Sequence, residues 1–331
     1  MDHDGPDIVV LRGEAHGIPT TEYAAALRDR LPEYDVRHAA TPKQAREMVV
    51  DAPIVTGGGI TEDLLDRAEK LRLYAAGGAG LGKETVEQCV ERGVTVTNAT
   101  IHGPNIAEYV LGTMLGFSRN IYEGVRRNER REWRHYQARD FGGSTVTVVG
   151  LGTIGQAVTQ RLQGFGVETI GVRYTPEKGG PTDEVVGFDT EPFHEALAGT
   201  DYLALTCPLT DTTRGLVDAE ALSVLPPDAV LVNISRGEIV ETDALVSAIR
   251  QNQLRGAALD VSDPEPLPED HPLWTFENVL VTPHMSGHTP EYWERCADLL
   301  ADNVSRIEET GAYTDLVNTV ELSSSGEIVY G

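Results

Sequence analysis

Cysteine and lysine are scarce in this chain, and long apolar runs are missing. Its three cysteines, Cys89, Cys207 and Cys296, are odd in number and lie far apart. That spacing argues against a disulfide framework and offers no metal-ligand cluster, so no metal is expected and a reducing cytoplasm fits. No apolar stretch approaches the roughly 18 residues that cross a bilayer. The opening Met1-Asp-His-Asp-Gly-Pro6 lacks the positive charge and apolar core of a secretion signal.

Positive charge is short as well. Lys43, Lys70, Lys83 and Lys178 are the only lysines, and 27 Lys+Arg face 52 Asp+Glu, for a net charge of −25. Such a surface repels nucleic acid and anionic membranes, so neither is expected as a partner. The acidity is spread along the chain and forms no tail. At roughly 1 M salt the Debye length falls to about 3 Å, and the mutual repulsion of the carboxylates largely vanishes. The composition therefore predicts a salt-adapted cytoplasmic protein. Its 331 residues and 40% hydrophobic content suit about two domains, each with its own core.

Short apolar runs alternate with helical patterns, which predicts βαβ units and parallel sheets. Asp7–Leu11, Pro53–Thr56, Leu71–Ala75 and Val94–Thr97 read as buried strands, with helices over Lys43–Val50, Glu62–Lys70 and Glu84–Arg92. A long helix runs from about Pro104 through Ile121. A second series of strands comprises Ser144–Val149, Val167–Val172, Tyr202–Leu205, Ala229–Val232, Ala257–Asp260 and Val279–Val281, before a last helix over Pro290–Glu308. Between the two series lies the most basic stretch, Arg126–Tyr136, which reads as a solvated linker; the alternative is a patch for anions or a partner subunit.

Ser144–Val149 leads straight into Gly150-Leu-Gly152-Thr153-Ile154-Gly155 and a helical run. In G-x-G-x-x-G the first glycine allows the tight turn, the second lets backbone approach a pyrophosphate, and the third lets helix pack on strand. The helix start offers free N–H groups to phosphates, so a dinucleotide is the expected cofactor. The next strand ends in Arg173, Tyr174 and Thr175, where an NAD site carries an acid for the ribose 2′-OH. A cation beside hydroxyls suits a 2′-phosphate. NADP is therefore the preferred cofactor expected and NAD a possible one; Glu177 or Asp183 serving the ribose is the alternative.

Three later strands end in polar segments: Asn233-Ile234-Ser235-Arg236-Gly237, Asp260 through Glu265-Pro266, and Thr282-Pro-His284 through Gly287. In a doubly wound sheet the carboxyl ends of strands line the ligand crevice, so Arg236, Glu265 and His284 can converge. These motifs, with Gly78-Ala79-Gly80 and Ala107-Glu108, resemble the D-isomer-specific 2-hydroxyacid dehydrogenases over most of the chain.

The resemblance implies an α/β fold of two doubly wound parallel-sheet domains. A Rossmann nucleotide-binding domain, residues 104–287, would be inserted into a flavodoxin-like substrate domain, residues 1–103 plus 288–331. It implies that Arg236 grips the carboxylate and polarises the C2 oxygen of a 2-keto acid, and that His284 exchanges the proton. Glu265 would favour the imidazolium. Gly78, Ala79 and Gly80 would offer amides to the substrate carboxylate. Thr206, Cys207 and Pro208 would pass the adenosine, although an ordinary buried thiol accounts for Cys207 itself. Ile234, Ser235, Asp260 and Gly287 complete the implied cofactor contacts, with Asp260 on the nicotinamide carboxamide and Ile234 on the ring's side of the crevice.

The expected activity is NADPH-linked reduction of 2-keto acids to D-2-hydroxy acids. Alternatives are hydroxypyruvate/glyoxylate reductase or phosphoglycerate dehydrogenase of the same family, or a nucleotide-sensing regulator with little turnover. Family members pair through the nucleotide domain, so a homodimer is expected. Two features depart from the family pattern. Gly82-Lys83 stands where an acid usually supports the carboxylate loop, and Thr100–Pro104 is atypical, His102 reading as a helix-leading loop residue.

Overall fold

The computed structural model describes residues 5–323 and 328–330. The chain divides into two compact units, Met1–Ile101 with His288–Gly331, and His102–Gly287.

In the first unit the elements are β1 (Ile8–Leu11), a short hairpin of β2 (Glu14–Ala15) and β3 (Ile18–Pro19), α1 (Thr20–Arg30) and β4 (Val36–Ala39). There follow α2 (Pro42–Met48), β5 (Ile54–Gly57), α3 (Glu62–Arg67), β6 (Leu73–Ala76), α4 (Lys83–Glu91) and β7 (Thr95–Thr97). The second unit contains α5 (Gly103–Ser118), α6 (Ile121–Arg130), β8 (Thr145–Val149), α7 (Thr153–Leu162), β9 (Glu168–Val172), β10 (Glu184–Val186) and α8 (Thr190–Ala198). It continues with β11 (Tyr202–Leu205), α9 (Ala219–Val224), β12 (Val230–Asn233), α10 (Thr242–Arg250), β13 (Gly256–Leu259) and β14 (Val279–Val281). The chain then returns to the first unit through α11 (Tyr292–Thr310), β15 (Thr319–Leu322) and β16 (Ile328–Tyr330).

Each unit is built on a seven-stranded sheet among the described residues. The second unit's sheet is parallel throughout, in the order β10-β9-β8-β11-β12-β13-β14. This is the doubly wound order, with its crevice at the reversal between β8 and β11. Successive strand residues face opposite sides, so both faces are apolar. Leu203, Leu205, Leu231 and Leu259 meet Leu197, Leu222 and Leu245 of α8, α9 and α10. Val146, Val148, Val230 and Val232 meet Val110 and Met114 of α5 and Val158 of α7.

The first unit's parallel strands run β4-β1-β5-β6-β7, a flavodoxin-like order. Ile8, Val10 and Leu73 pack toward α1 and α11, whereas Val9, Leu11 and Val55 pack toward α2, α3 and α4. β15 and β16 extend the edge in antiparallel pairing, an addition that the parallel pattern did not anticipate.

Three readings need correction. The helix expected over 104–121 ends at Ser118, and Asn120 turns left-handed at φ 51° before α6 begins. Residues 126–130 are helix and not linker, because Arg126, Arg127 and Arg130 of α6 gather on Glu123 at 3.2, 2.5 and 3.7 Å. Strand β4 and helix α1 add elements that the apolar runs did not flag.

Candidate active site

The glycine turn joins β8 to α7. Gly150 has φ +97°, and a Cβ there would lie 2.5 Å from Cys207 Cα. A Cβ on Gly155 would sit 1.9 Å from Gly150 O, so helix and turn touch only because no side chain intervenes. A Cβ on Gly152 would meet nothing within 4 Å. Two glycines are thus demanded by packing and the middle one opens onto free space, at the amino end of a ten-residue helix whose first amides have no intrahelical partner. That cradle and donor set fit a dinucleotide pyrophosphate, which Gly152, Thr153 and Ile154 would hold.

The neighbouring strand ends hold the turn. The Thr206 hydroxyl lies 3.0 Å from Val149 O and 2.7 Å from Gly150 O. Cys207 is 2% exposed, and burial pushes its thiol up to about 12, so it is an inert core group beside Pro208. Ser235 is buried, its amide donating to Asn233 Oδ1 and its hydroxyl to Cys207 O. Ile234 is buried in the α5–α7 cluster.

At the end of β9, Arg173 donates from Nη1 to Gly179 O at 2.5 Å, while Tyr174 is 81% exposed beside the half-buried Thr175. Asp183 accepts from the amide (2.8 Å) and hydroxyl (2.7 Å) of Thr169, and these bonds hold its carboxyl below the usual range. Its Oδ2 thus serves the edge of the sheet.

Arg236, Asp260 with Glu265, and His284 follow β12, β13 and β14, three adjacent strands. The ladder continues past the strand ends: Asp260 N donates to Asn233 O, Thr282 N to Leu259 O and His284 N to Asp260 O, at 2.9, 2.9 and 2.8 Å. Asn233 Nδ2 donates to Arg236 O at 2.9 Å, and Arg236 Nη1 to Ser235 O at 2.7 Å. Arg236 is exposed. Gly237 admits the close approach of the next loop, since a Cβ there would lie 2.1 Å from Ser262 C.

His284 has a left-handed backbone, φ 50°, and its Nδ1 lies 2.7 Å from Glu265 Oε1. A carboxylate only accepts, so Nδ1 carries the hydrogen and Nε2 is left for other chemistry. The two side chains of this imidazole–carboxylate pair are 47% and 43% exposed. Asp260 is its opposite: 1% exposed, with Oδ1 accepting from Thr282 Oγ1 (2.7 Å) and Met285 N (2.8 Å), and Oδ2 from Ser286 N (2.8 Å). Gly287 O accepts from Asn105 Nδ2 and lies 3.2 Å from His102 Nδ1, which places His102 at the start of α5 as a loop-holding residue.

In the first unit, Gly78, Ala79 and Gly80 follow β6. Tyr292 Oη donates to Gly77 O, Ala99 N to Gly78 O and Asn98 Nδ2 to Ala79 O. Those three bonds supply the support that Gly82-Lys83 does not. No metal-holding group of three or more His, Cys, Asp or Glu occurs among the described residues, and no described helix is long and apolar enough to cross a membrane.

Residues 111–286 match the family model described as D-isomer specific 2-hydroxyacid dehydrogenase, NAD binding domain. The chain belongs to this dehydrogenase family. The matched span falls inside the unit that carries the glycine turn, Arg236 and His284. The chain is 31% identical over 293 residues to the glyoxylate reductase of Thermococcus litoralis, covering 86% of this chain and 87% of that protein. It is also 31% identical over 307 residues to the D-3-phosphoglycerate dehydrogenase of Methanocaldococcus jannaschii, covering 91% of this chain but only 58% of that longer protein. Among solved structures, the D-isomer specific 2-hydroxyacid dehydrogenase of Xanthobacter autotrophicus Py2, in complex with NADPH and MES, aligns with TM-score 0.78 and 28% identity. That alignment covers 96% of this chain and 98% of the other.

The sequence reading missed Tyr109, whose hydroxyl lies 2.6 Å from Thr282 Oγ1. A lone tyrosine on an apolar helix carries no signal of its partner.

Proposed function

We propose that this chain reversibly reduces 2-keto acids to D-2-hydroxy acids, with NADPH preferred over NADH. The observation that carries the reading is the His284–Glu265 pair at 2.7 Å, whose members follow β14 and β13, beside the β12 that Arg236 follows. A bound nicotinamide coenzyme would supply hydride chemistry, held by Gly150, Gly152, Thr153, Ile154 and Gly155 at the phosphates. The remaining tasks fall to the chain.

Arg236 anchors one terminal nitrogen on Ser235 O. The other edge of its planar guanidinium is free to grip the carboxylate and polarise the C2 oxygen. His284 Nε2 gives its proton to that oxygen as the alcohol forms and takes it back in reverse, while Glu265 holds Nδ1–H in place. The amides of Gly78, Ala79 and Gly80, whose neighbouring carbonyls are tied back, are suited to a small anion.

Charge supports the coenzyme preference. Lys43, Lys70 and Lys83 pair with Glu47, Asp51 and Glu87. Lys178 has no acidic partner among the described residues, and neither has Arg173 on the same loop. Two cations without acidic partners in a chain of net charge −25 favour a 2′-phosphate. The same charge supports a salt-adapted cytoplasmic enzyme. The homodimer reading rests on residues 131–140, all exposed and including Trp133 at 102%. An uncovered tryptophan beside arginines suits an interface with a second copy; a monomer in sedimentation would overturn it.

The test is a panel of glyoxylate, pyruvate, longer 2-keto acids and hydroxypyruvate, with NADPH and NADH, at low and multimolar KCl. Turnover with NADPH exceeding that with NADH, and melting that rises with salt, is the expected result. Tight nucleotide binding without turnover of any acid would favour a nucleotide sensor instead.

A further inference from the structure

We propose that Tyr109 of α5 is a positioning residue for His284, acting through Thr282 and Asp260. The inference rests on the reading of His284 as the proton-exchanging group.

The exposed pair cannot hold its own geometry. Its single bond joins two side chains that are each nearly half exposed, and His284 sits in a left-handed backbone that a non-glycine residue adopts only when its surroundings impose it. The imposition comes from Asp260. Its carboxylate takes Thr282 Oγ1, Met285 N and Ser286 N, and its carbonyl takes His284 N, so four donors within 282–286 end on one buried residue.

The proton order in this chain of bonds follows from chemistry. A carboxylate accepts only, so Thr282 gives its one hydroxyl hydrogen to Asp260 Oδ1 at 2.7 Å. The oxygen of Thr282 is then an acceptor, and Tyr109 Oη, 2.6 Å away, must donate to it. Burial pushes the Tyr109 phenol up to about 12, so this donor persists at any ordinary working pH. Tyr109 thereby orients the Thr282 hydroxyl toward Asp260, and Asp260 holds the turn that aims the imidazole. The second attachment of the same loop to α5, at Gly287 O by Asn105, lies at the loop's other end. Helix α5 thus grips the loop on both sides of His284.

Tyr109→Phe deletes one hydroxyl and keeps the ring packing. With the 2-keto acid turned over fastest in the panel above, kcat is expected to fall about three- to tenfold with KM for NADPH unchanged, the cost of one lost buried hydrogen bond. Thr282→Val should lose more, and Thr282→Ser should recover most of that loss, because serine restores the hydroxyl. A readout independent of turnover is the imidazole Nδ1–H proton resonance of His284, assigned by its absence in His284→Ala. It should shift or broaden in Tyr109→Phe without coenzyme present. Wild-type kcat and an unmoved resonance in Tyr109→Phe, alongside loss of turnover in His284→Ala, would overturn the positioning role alone. Full turnover by His284→Ala would instead overturn the reading beneath it, and the positioning role with it.

Discussion

Two carboxylates flank His284, and they differ in almost every respect. Asp260 is buried, and its carboxylate accepts three hydrogen bonds, all from residues 282–286. Glu265 is half exposed and makes one bond, to the imidazole itself. A buried ionised carboxylate is tolerated only when its oxygens are fully engaged, and those engagements make it a rigid anchor. An exposed carboxylate is screened and mobile, so it can follow a ring that changes protonation. On the proposed function, one acid would hold the geometry and the other would serve the proton exchange.

Three substitutions would break or sharpen that division. His284→Ala removes the group that both acids serve, and kcat should fall by roughly 100- to 10,000-fold, as measured by NADPH oxidation. Asp260→Asn comes next. An asparagine amide would set a donor against Met285 N–H or Ser286 N–H, and displacing the turn by about 1 Å costs on the order of 100-fold in kcat. Because a buried donor is orphaned as well, denaturant unfolding should show about 1–3 kcal/mol lost. Glu265→Gln keeps an oxygen for Nδ1–H but not the charge, which roughly halves the hydrogen bond. A loss of about tenfold in kcat with unchanged unfolding would separate its role from that of Asp260, and equal destabilisation in the two variants would erase the contrast.

Away from both acids, Arg173→Asp should shift the NADPH/NADH preference by about tenfold or more without changing kcat for the better coenzyme. An unchanged ratio would remove Arg173 from coenzyme selection.

Much of this was legible in the chain because local rules and the global fold agree. Gly150 and Gly155 are required by backbone contacts that any strand–turn–helix of this kind makes, so their spacing announced the turn. Strands buried on both faces, such as Tyr202–Leu205, appear as uninterrupted apolar runs. Edge strand β4, Val-Arg-His-Ala, is half polar and raised no such signal. The break after Ser118 depends on Asn120 adopting a left-handed turn, and the order of 126–130 depends on Glu123 collecting three arginines. Neither can be read from periodicity.

The amino-acid order by itself determined the βα alternation, the phosphate-binding turn and the polar strand ends, since each follows from contacts between near neighbours. Which of two nearby acids became the anchor, and which tyrosine reached its partner Thr282 from 173 residues away, was decided only on folding. Burial is a property of the packed sheet, and it assigns different work to identical chemical groups.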